Sequence, residues 1–198
     1  ESLNLTGTRV TGSGLRYLGP LVRLKRISFN GTSVALSDVV DLFVRKQGRP
    51  LTDALAAMGL LRFDARGEIE TVDVAGTEFG DAELRHLGPL AALRELHLAA
   101  TRVSDAGMEH VARLKNLERL YLARCDVGDA GLAHVAGLTR LQALNLYGTK
   151  LTTAGLAHLH GLTELRQLLI TDVKLSAAAV DDLKKKLPRL TVSDFTPI

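Results

Sequence analysis

Four histidines, His86, His110, His134 and His158, recur at an interval of 24 residues, and His160 adds a second imidazole beside the last of them. Imidazole is the commonest metal ligand and a common general base, so a regular column of it invites a metal or proton-relay reading. Spacing decides against a metal. One histidine per repeat places neighbouring rings on neighbouring helices, ~8–10 Å apart, whereas a zinc–nitrogen bond is ~2.1 Å long. No Asp or Cys recurs beside the column, and Tyr17 takes its place in the first repeat. The column therefore reads as scaffold, expected to bond the backbone of the adjacent loop, and neither a metal nor a cofactor is expected.

A threonine column, Thr8, Thr32, Thr77, Thr101 and Thr149, recurs in the same way. Its hydroxyls suit the backbone groups that a buried strand end leaves unpaired. Cys125 falls in this column and is the sole cysteine of the chain. It reads as a small buried replacement and not as a nucleophile, because a reactive thiol needs an exposed, electropositive setting. His97, Asp73 and Glu95 can cluster, but no Ser or Cys nucleophile accompanies them. Gly12-Ser13-Gly14 lacks the lysine that a phosphate loop requires. No catalytic residue is assigned and the chain is read as a non-enzyme.

The elements that must position these residues follow from the period itself. An apolar-x-apolar pair appears at Leu3-x-Leu5, Ile27-x-Phe29, Val72-x-Val74, Leu96-x-Leu98, Leu120-x-Leu122, Leu144-x-Leu146 and Leu168-x-Ile170. The last five follow one another at 24 residues, and a degenerate copy at Leu190-x-Val192 comes 22 residues later. Around each pair apolar and polar residues alternate, which predicts a short strand. Each strand is followed by a turn and then by apolar residues at helical spacing, as in Met108, Val111 and Leu114. Asp81, Asp105, Asp129 and Thr153 sit where each helix begins and are expected to accept from its free N–H groups.

The phrase Gly-Thr-x-Val/Leu-x-Asp/Thr-Ala-Gly-Leu-x-His-Val/Leu, followed by Leu-x-x-Leu-x-x-Leu-x-Leu, resembles bacterial leucine-rich-repeat arrays. It is similar to their ribonuclease-inhibitor-like and cysteine-containing classes. That resemblance implies an α/β leucine-rich-repeat solenoid, a horseshoe with parallel strands on the concave side and helices on the convex side. It also implies protein binding, with partners too diverse for the fold to name.

Residues between the strand anchors face the concave surface. With strands ~4.8 Å apart, His97, Tyr121, Asn145 and Leu169 are expected to form one row. Asp73 precedes it, Glu95, Arg119 and Gln167 run beside it, and Tyr147 flanks its other side. In the first block Ser2, Asn4, Thr6, Arg26, Ser28 and Asn30 hold the same positions. Tyr and Arg are enriched at binding hot spots. Asp73, Glu95, His97, Arg119, Tyr121, Asn145, Tyr147, Gln167 and Leu169 are therefore the candidate partner-binding residues, for a protein or peptide.

The period breaks once. From Ile27 to Val72 is 45 residues, three short of two repeats. Residues 1–36 read as N-terminal repeats continuing a truncated array, since Glu1–Leu5 would otherwise be a bare strand edge. Residues 37–69 read as an irregular insertion or junction: a helix over Ser37–Lys46, a second over Leu51–Met58, and a β-hairpin turning at Gly67. This segment is either a docking element or the end of one array and the start of another. Its run Arg45-Lys46-Gln47-Gly48-Arg49 reads as a solvated helix end. Residues 70–198 read as C-terminal repeats with a terminal cap.

Bulk composition sets the remaining limits. In 198 residues, 25 Lys and Arg face 22 Asp and Glu, a net +3 without the basic excess of a nucleic-acid binder. No apolar stretch is long enough to span a bilayer, so membrane insertion is not expected. The alternative to an interaction module is a structural or regulatory array within a larger polypeptide, which can itself be an enzyme.

Overall fold

The computed structural model describes residues 2–15, 17–18, 26–28 and 32–193. The chain divides into two compact units, Glu1–Arg62 and Phe63–Ile198.

In the first unit, β1 (Ser2–Asn4) and β2 (Arg26–Ser28) pair in parallel, with Leu3 opposite Ile27. That register reproduces the 24-residue spacing of the anchors. Phe29, Asn30 and Gly31 lie outside the described residues. A four-residue α1 (Gly12–Leu15) follows β1. The predicted helix over Ser37–Lys46 begins one residue earlier, as α2 (Leu36–Val40), and continues as a π-helix over Asp41–Lys46. The wider turn carries Gln47 N–H to Leu42 O, and Arg49 N–H to Phe43 O closes the end. Leu42 and Phe43 are buried there together with Leu51 and Leu55 of α3 (Leu51–Ala57). Both arginines of the basic run have acidic partners: Arg49 pairs with Asp53 at 2.7 Å and lies over the Phe43 ring, while Arg45 reaches Asp41 at 3.6 Å.

The second unit is the regular array. Its seven-stranded sheet runs in the order β3 (Leu61–Phe63), β4 (Ile69–Asp73), β5 (Glu95–His97), β6 (Arg119–Tyr121), β7 (Ala143–Asn145), β8 (Gln167–Leu169) and β9 (Thr191–Ser193). β4 to β9 are all parallel. The hairpin joining β3 to β4 turns at Gly67, whose φ of 81° is left-handed, and Asp64 Oδ1 accepts from the N–H groups of Arg66 and Glu68. Glycine reaches that conformation without a Cβ penalty.

Leucine spacing accounts for the core. Val72, Leu96, Leu120, Leu144 and Leu168 stack in one buried column, and Val74, Leu98, Leu122, Leu146 and Ile170 in a second. Because each strand is pleated, both anchors of a pair point to the same side and the residue between them to the other. Aliphatic side chains from the opposite layer close the core, as Met108, Val111 and Leu114 do in one repeat.

Three expectations change here. The helices are shorter than predicted: α4 (Asp81–Leu84), α5 (Asp105–Val111) and α6 (Asp129–Ala133) span at most seven residues, and Thr153–Leu159 is wholly 3-10. Gly107 in α5, Gly131 in α6 and Gly155 in the 3-10 segment each weaken an α-helix by about 1 kcal/mol, and a tighter, longer-rise coil covers the same distance with fewer residues. The 22-residue terminal slip is also absent. β9 pairs with Val192 opposite Leu168, which keeps the 24-residue register, and Leu190 sits before the strand as Arg166 does before β8. The ten-residue α7 (Ala177–Lys186) precedes it, as the expected terminal helix.

The third change concerns the aspartates. Gly80, Ser104, Gly128 and Thr152 are the helix caps, one residue earlier than expected. Each aspartate instead reaches the following repeat. Asp81 accepts from the Ser104 N–H at 2.9 Å and its hydroxyl at 2.6 Å. Asp105 accepts from the N–H groups of Gly128 (2.7 Å) and Gly131 (2.9 Å), and Asp129 from that of Thr152 (2.8 Å). Thr153 does the same for Ser176 at 3.1 Å. An anion at the next helix's N-terminus satisfies its orphan donors and its dipole together.

Candidate functional site

Strand register places the sequence-selected residues on the exposed face of the second unit's sheet. Thr71, Glu95, Arg119, Ala143, Gln167 and Thr191 stand opposite one another in one row, and Asp73, His97, Tyr121, Asn145, Leu169 and Ser193 in the next. The ladder continues past the strands, with Arg124 N–H bonding Tyr147 O and Gly148 N–H bonding Thr171 O, so Tyr147 flanks the second row as expected.

Seven of the nine residues fall into two adjoining clusters. Glu95, His97, Arg119 and Tyr121 make a first cluster. Glu95 Oε1 is 2.9 Å from His97 Nε2 and its Oε2 accepts from Arg119 at 3.5 Å. The His97 and Tyr121 rings stack, with centroids 4.3 Å apart and planes 17° from parallel. Burial, and then the nearby Glu95 carboxylate, push the Tyr121 phenol above its ordinary value, while Arg119 opposes them. Glu95 thus holds one imidazole and one guanidinium, and the stacked rings have little freedom left to lose on binding.

The second cluster surrounds a depression of ≈490 Å³ at the C-terminal end of the sheet. Tyr121, Asn145, Gln167 and Leu169 line it together with Ala143, Arg166 and Arg189. Tyr121 therefore belongs to both clusters. Asp73 stands beside His97 in register, exposed, with Oδ1 accepting from Ala75 N–H. Asn145 Oδ1 accepts likewise from Tyr147 N–H at 2.9 Å.

Arg124 was not singled out by sequence. It stands in the turn position that Gly7, Gly76 and Gly148 occupy elsewhere, and carries their left-handed backbone with φ of 58°. Its guanidinium lies 5.1 Å from the Tyr147 ring centroid and donates to the phenol oxygen at 3.2 Å. An arginine in a glycine slot was the available signal. Arg166 and Arg189 were missed because they stand just before their strands, outside the alternation that selects the exposed face.

The residues dismissed as chemistry have structural partners. The hydroxyls of Thr8, Thr77, Thr101 and Thr149 donate to carbonyls three residues back, at 2.6–2.8 Å. Cys125 is buried and its Sγ donates to Leu98 O, while burial pushes its thiol up. The histidine column behaves otherwise than expected. His86 accepts from the Arg85 side chain instead of bonding a loop backbone, and His110 Nδ1 is buried without a partner. Among the described residues no three His, Cys, Asp or Glu side chains converge as a metal site, and no helix is long and apolar enough to cross a membrane.

Parallel strands, a buried ladder of leucines and a return segment of helix or 3-10 coil in each repeat define an α/β leucine-rich-repeat solenoid. A family model for the leucine-rich repeat matches residues 113–136. Among solved structures, an internalin (inlF) of Listeria monocytogenes is similar over 98% of this chain and 53% of its own, with a TM-score of 0.64 and 16% identity. An internalin C2 (inlC2) of the same bacterium is similar over 96% of this chain and 69% of its own, with a TM-score of 0.56 and 22% identity. The chain thus spans about half the length of the first of these bacterial leucine-rich-repeat proteins. No curated protein sequence matches it.

Proposed function

We propose that the chain is a non-enzymatic interaction module that binds a protein or peptide on the exposed, concave face of its second unit's sheet. The supporting observation is the stacked His97–Tyr121 pair, held by Glu95 and continuous with a depression of ≈490 Å³. Aromatic and arginine side chains held rigidly on a regular sheet lose little entropy on binding, which is what a hot spot needs. Asp73, Glu95, His97, Arg119, Tyr121, Asn145, Tyr147, Gln167 and Leu169 are the contact residues in this reading. Segment 37–69 is a junction between two blocks of repeats.

The test is alanine replacement at Arg119, Tyr121 and Tyr147 once a binding protein or peptide is in hand. Tyr121→Ala is expected to weaken binding by about 30-fold, roughly 2 kcal/mol, with circular dichroism unchanged. Full binding by all three variants would move the interface to another face, or leave a structural array.

A further inference from the structure

We propose that the depression over Ala143 is a subsite for a carboxylate side chain, so that the peptide bound on this face carries an Asp or Glu there. This rests on the reading of the exposed sheet face as a binding surface, and it adds the chemistry of the occupant.

Shape comes first. In the row Glu95, Arg119, Ala143, Gln167, every neighbour of Ala143 carries a long side chain, so the alanine leaves a hole. Leu144, Leu168 and Leu169 contribute apolar lining and Tyr121 a wall. The stack with His97 keeps that wall from collapsing into the space.

Charge then selects the occupant. Arg166 and Arg189 line the depression, and among the described residues no Asp or Glu does. Two other arginines of this sheet are matched by carboxylates: Arg94 pairs with Glu118 and lies 3.8 Å from Glu70, and Arg119 pairs with Glu95. Arg189 has no ion-pair partner among the described residues, and Arg166 has only Glu164, at 3.6 Å with both side chains about half exposed. Such exposed pairs contribute little and exchange readily for a better anion. Gln167, Thr191 and Ser193 add donors to the same lining. An arginine fork bonds a carboxylate through two parallel N–H groups, and the apolar lining accommodates the methylenes of Glu.

The wider sequence agrees. Residues 63–140 hold nine Lys and Arg against thirteen Asp and Glu, and residues 141–198 seven against five. The depression lies at the electropositive end of an otherwise acidic unit, and complementary charge both steers an acidic segment there and fixes its direction.

Panning a phage-displayed random peptide library against the full chain tests this. Selected peptides are expected to share an Asp or Glu, and a synthetic copy with Gln in its place should bind at least tenfold more weakly. Arg166→Ala and Arg189→Ala should each reproduce that loss and abolish the difference between the acid and amide peptides, whereas Arg113→Ala, on a distant exposed site, should bind normally. Peptides that need Tyr121 and Arg119 but carry no acid, or that tolerate both arginine replacements, overturn the carboxylate subsite and leave the interaction surface standing. Peptides indifferent to every substitution on this face, or no enrichment at all, overturn both.

Discussion

Each Asp-Ala-Gly phrase is two halves of different contacts. A Cβ added to Gly107, Gly131 or Gly155 would collide with the carboxylate of Asp81, Asp105 or Asp129 of the preceding repeat. Where the aspartate gives way to the shorter Thr153, the glycine 26 residues on gives way to Ala179. In the first unit the pair is reversed, with Asp38 packed against Gly12. Gly131→Ala should therefore cost about 1–3 kcal/mol in chemical denaturation. Asp105→Ala alone should cost a similar amount by stranding two N–H donors, and the double variant should cost less than the two together. Strict additivity would mean that the carboxylate does not dictate the glycine. Sequence alone displayed the motif but assigned the aspartate to its own helix, because local capping and capping of the next repeat share one spacing pattern. Tyr121 offers a second check at this scale. Its phenol is raised above 10.0 in the fold, so its contribution to stability is full below that pH and is lost as pH rises through the native value. Near-ultraviolet titration of the native chain against Tyr121→Phe should show the missing phenol titrating later than an unfolded tyrosine.

At the level of elements, the turn after each strand is the point of strain. Gly76 and Gly148 enter the left-handed region freely, whereas Ala100, Arg124 and Asp172 occupy it with φ of 54°, 58° and 57°. That conformation costs a residue with a Cβ roughly 1–2 kcal/mol, and part of any gain from glycine is returned as unfolded-chain entropy. Ala100→Gly is expected to raise unfolding stability by up to about 1 kcal/mol in urea. Unchanged or lower stability would show that the turn is relaxed. At Arg124 the same replacement also removes the cation over Tyr147, so the gain should be smaller. Strand positions were legible because an anchor pair every 24 residues admits one pleat and one register. Helix type was not, since short α, 3-10 and π turns bury the same apolar residues and differ only in backbone bonding that side-chain spacing does not encode.

Across the whole molecule, the repeat made the solenoid readable while the functional surface was only partly so. The rows of exposed side chains followed from register. Their division into a self-neutralised cluster and an open depression did not, because ion pairs such as Glu95–Arg119 form between residues 24 apart and the hole at Ala143 is defined by what surrounds it. In an array where each repeat leans on its neighbours, Leu144→Ala should cost about 2–5 kcal/mol. Its loss of amide-exchange protection should be largest in β6, β7 and β8. A uniform loss from β4 to β9 would indicate one cooperative block instead.

The constant 24-residue register also acts as a measuring scale for whatever lies across it. Graduations on the sheet are ~4.8 Å apart, whereas an extended chain crossing the strands advances only ~3.3 Å per residue. The two scales drift out of phase and return to coincidence after two strands and three residues, about 10 Å. A partner crossing this face can therefore meet equivalent positions only at such intervals, like the marks of a vernier. Specificity would then be written in widely separated residues, with those between them free to vary.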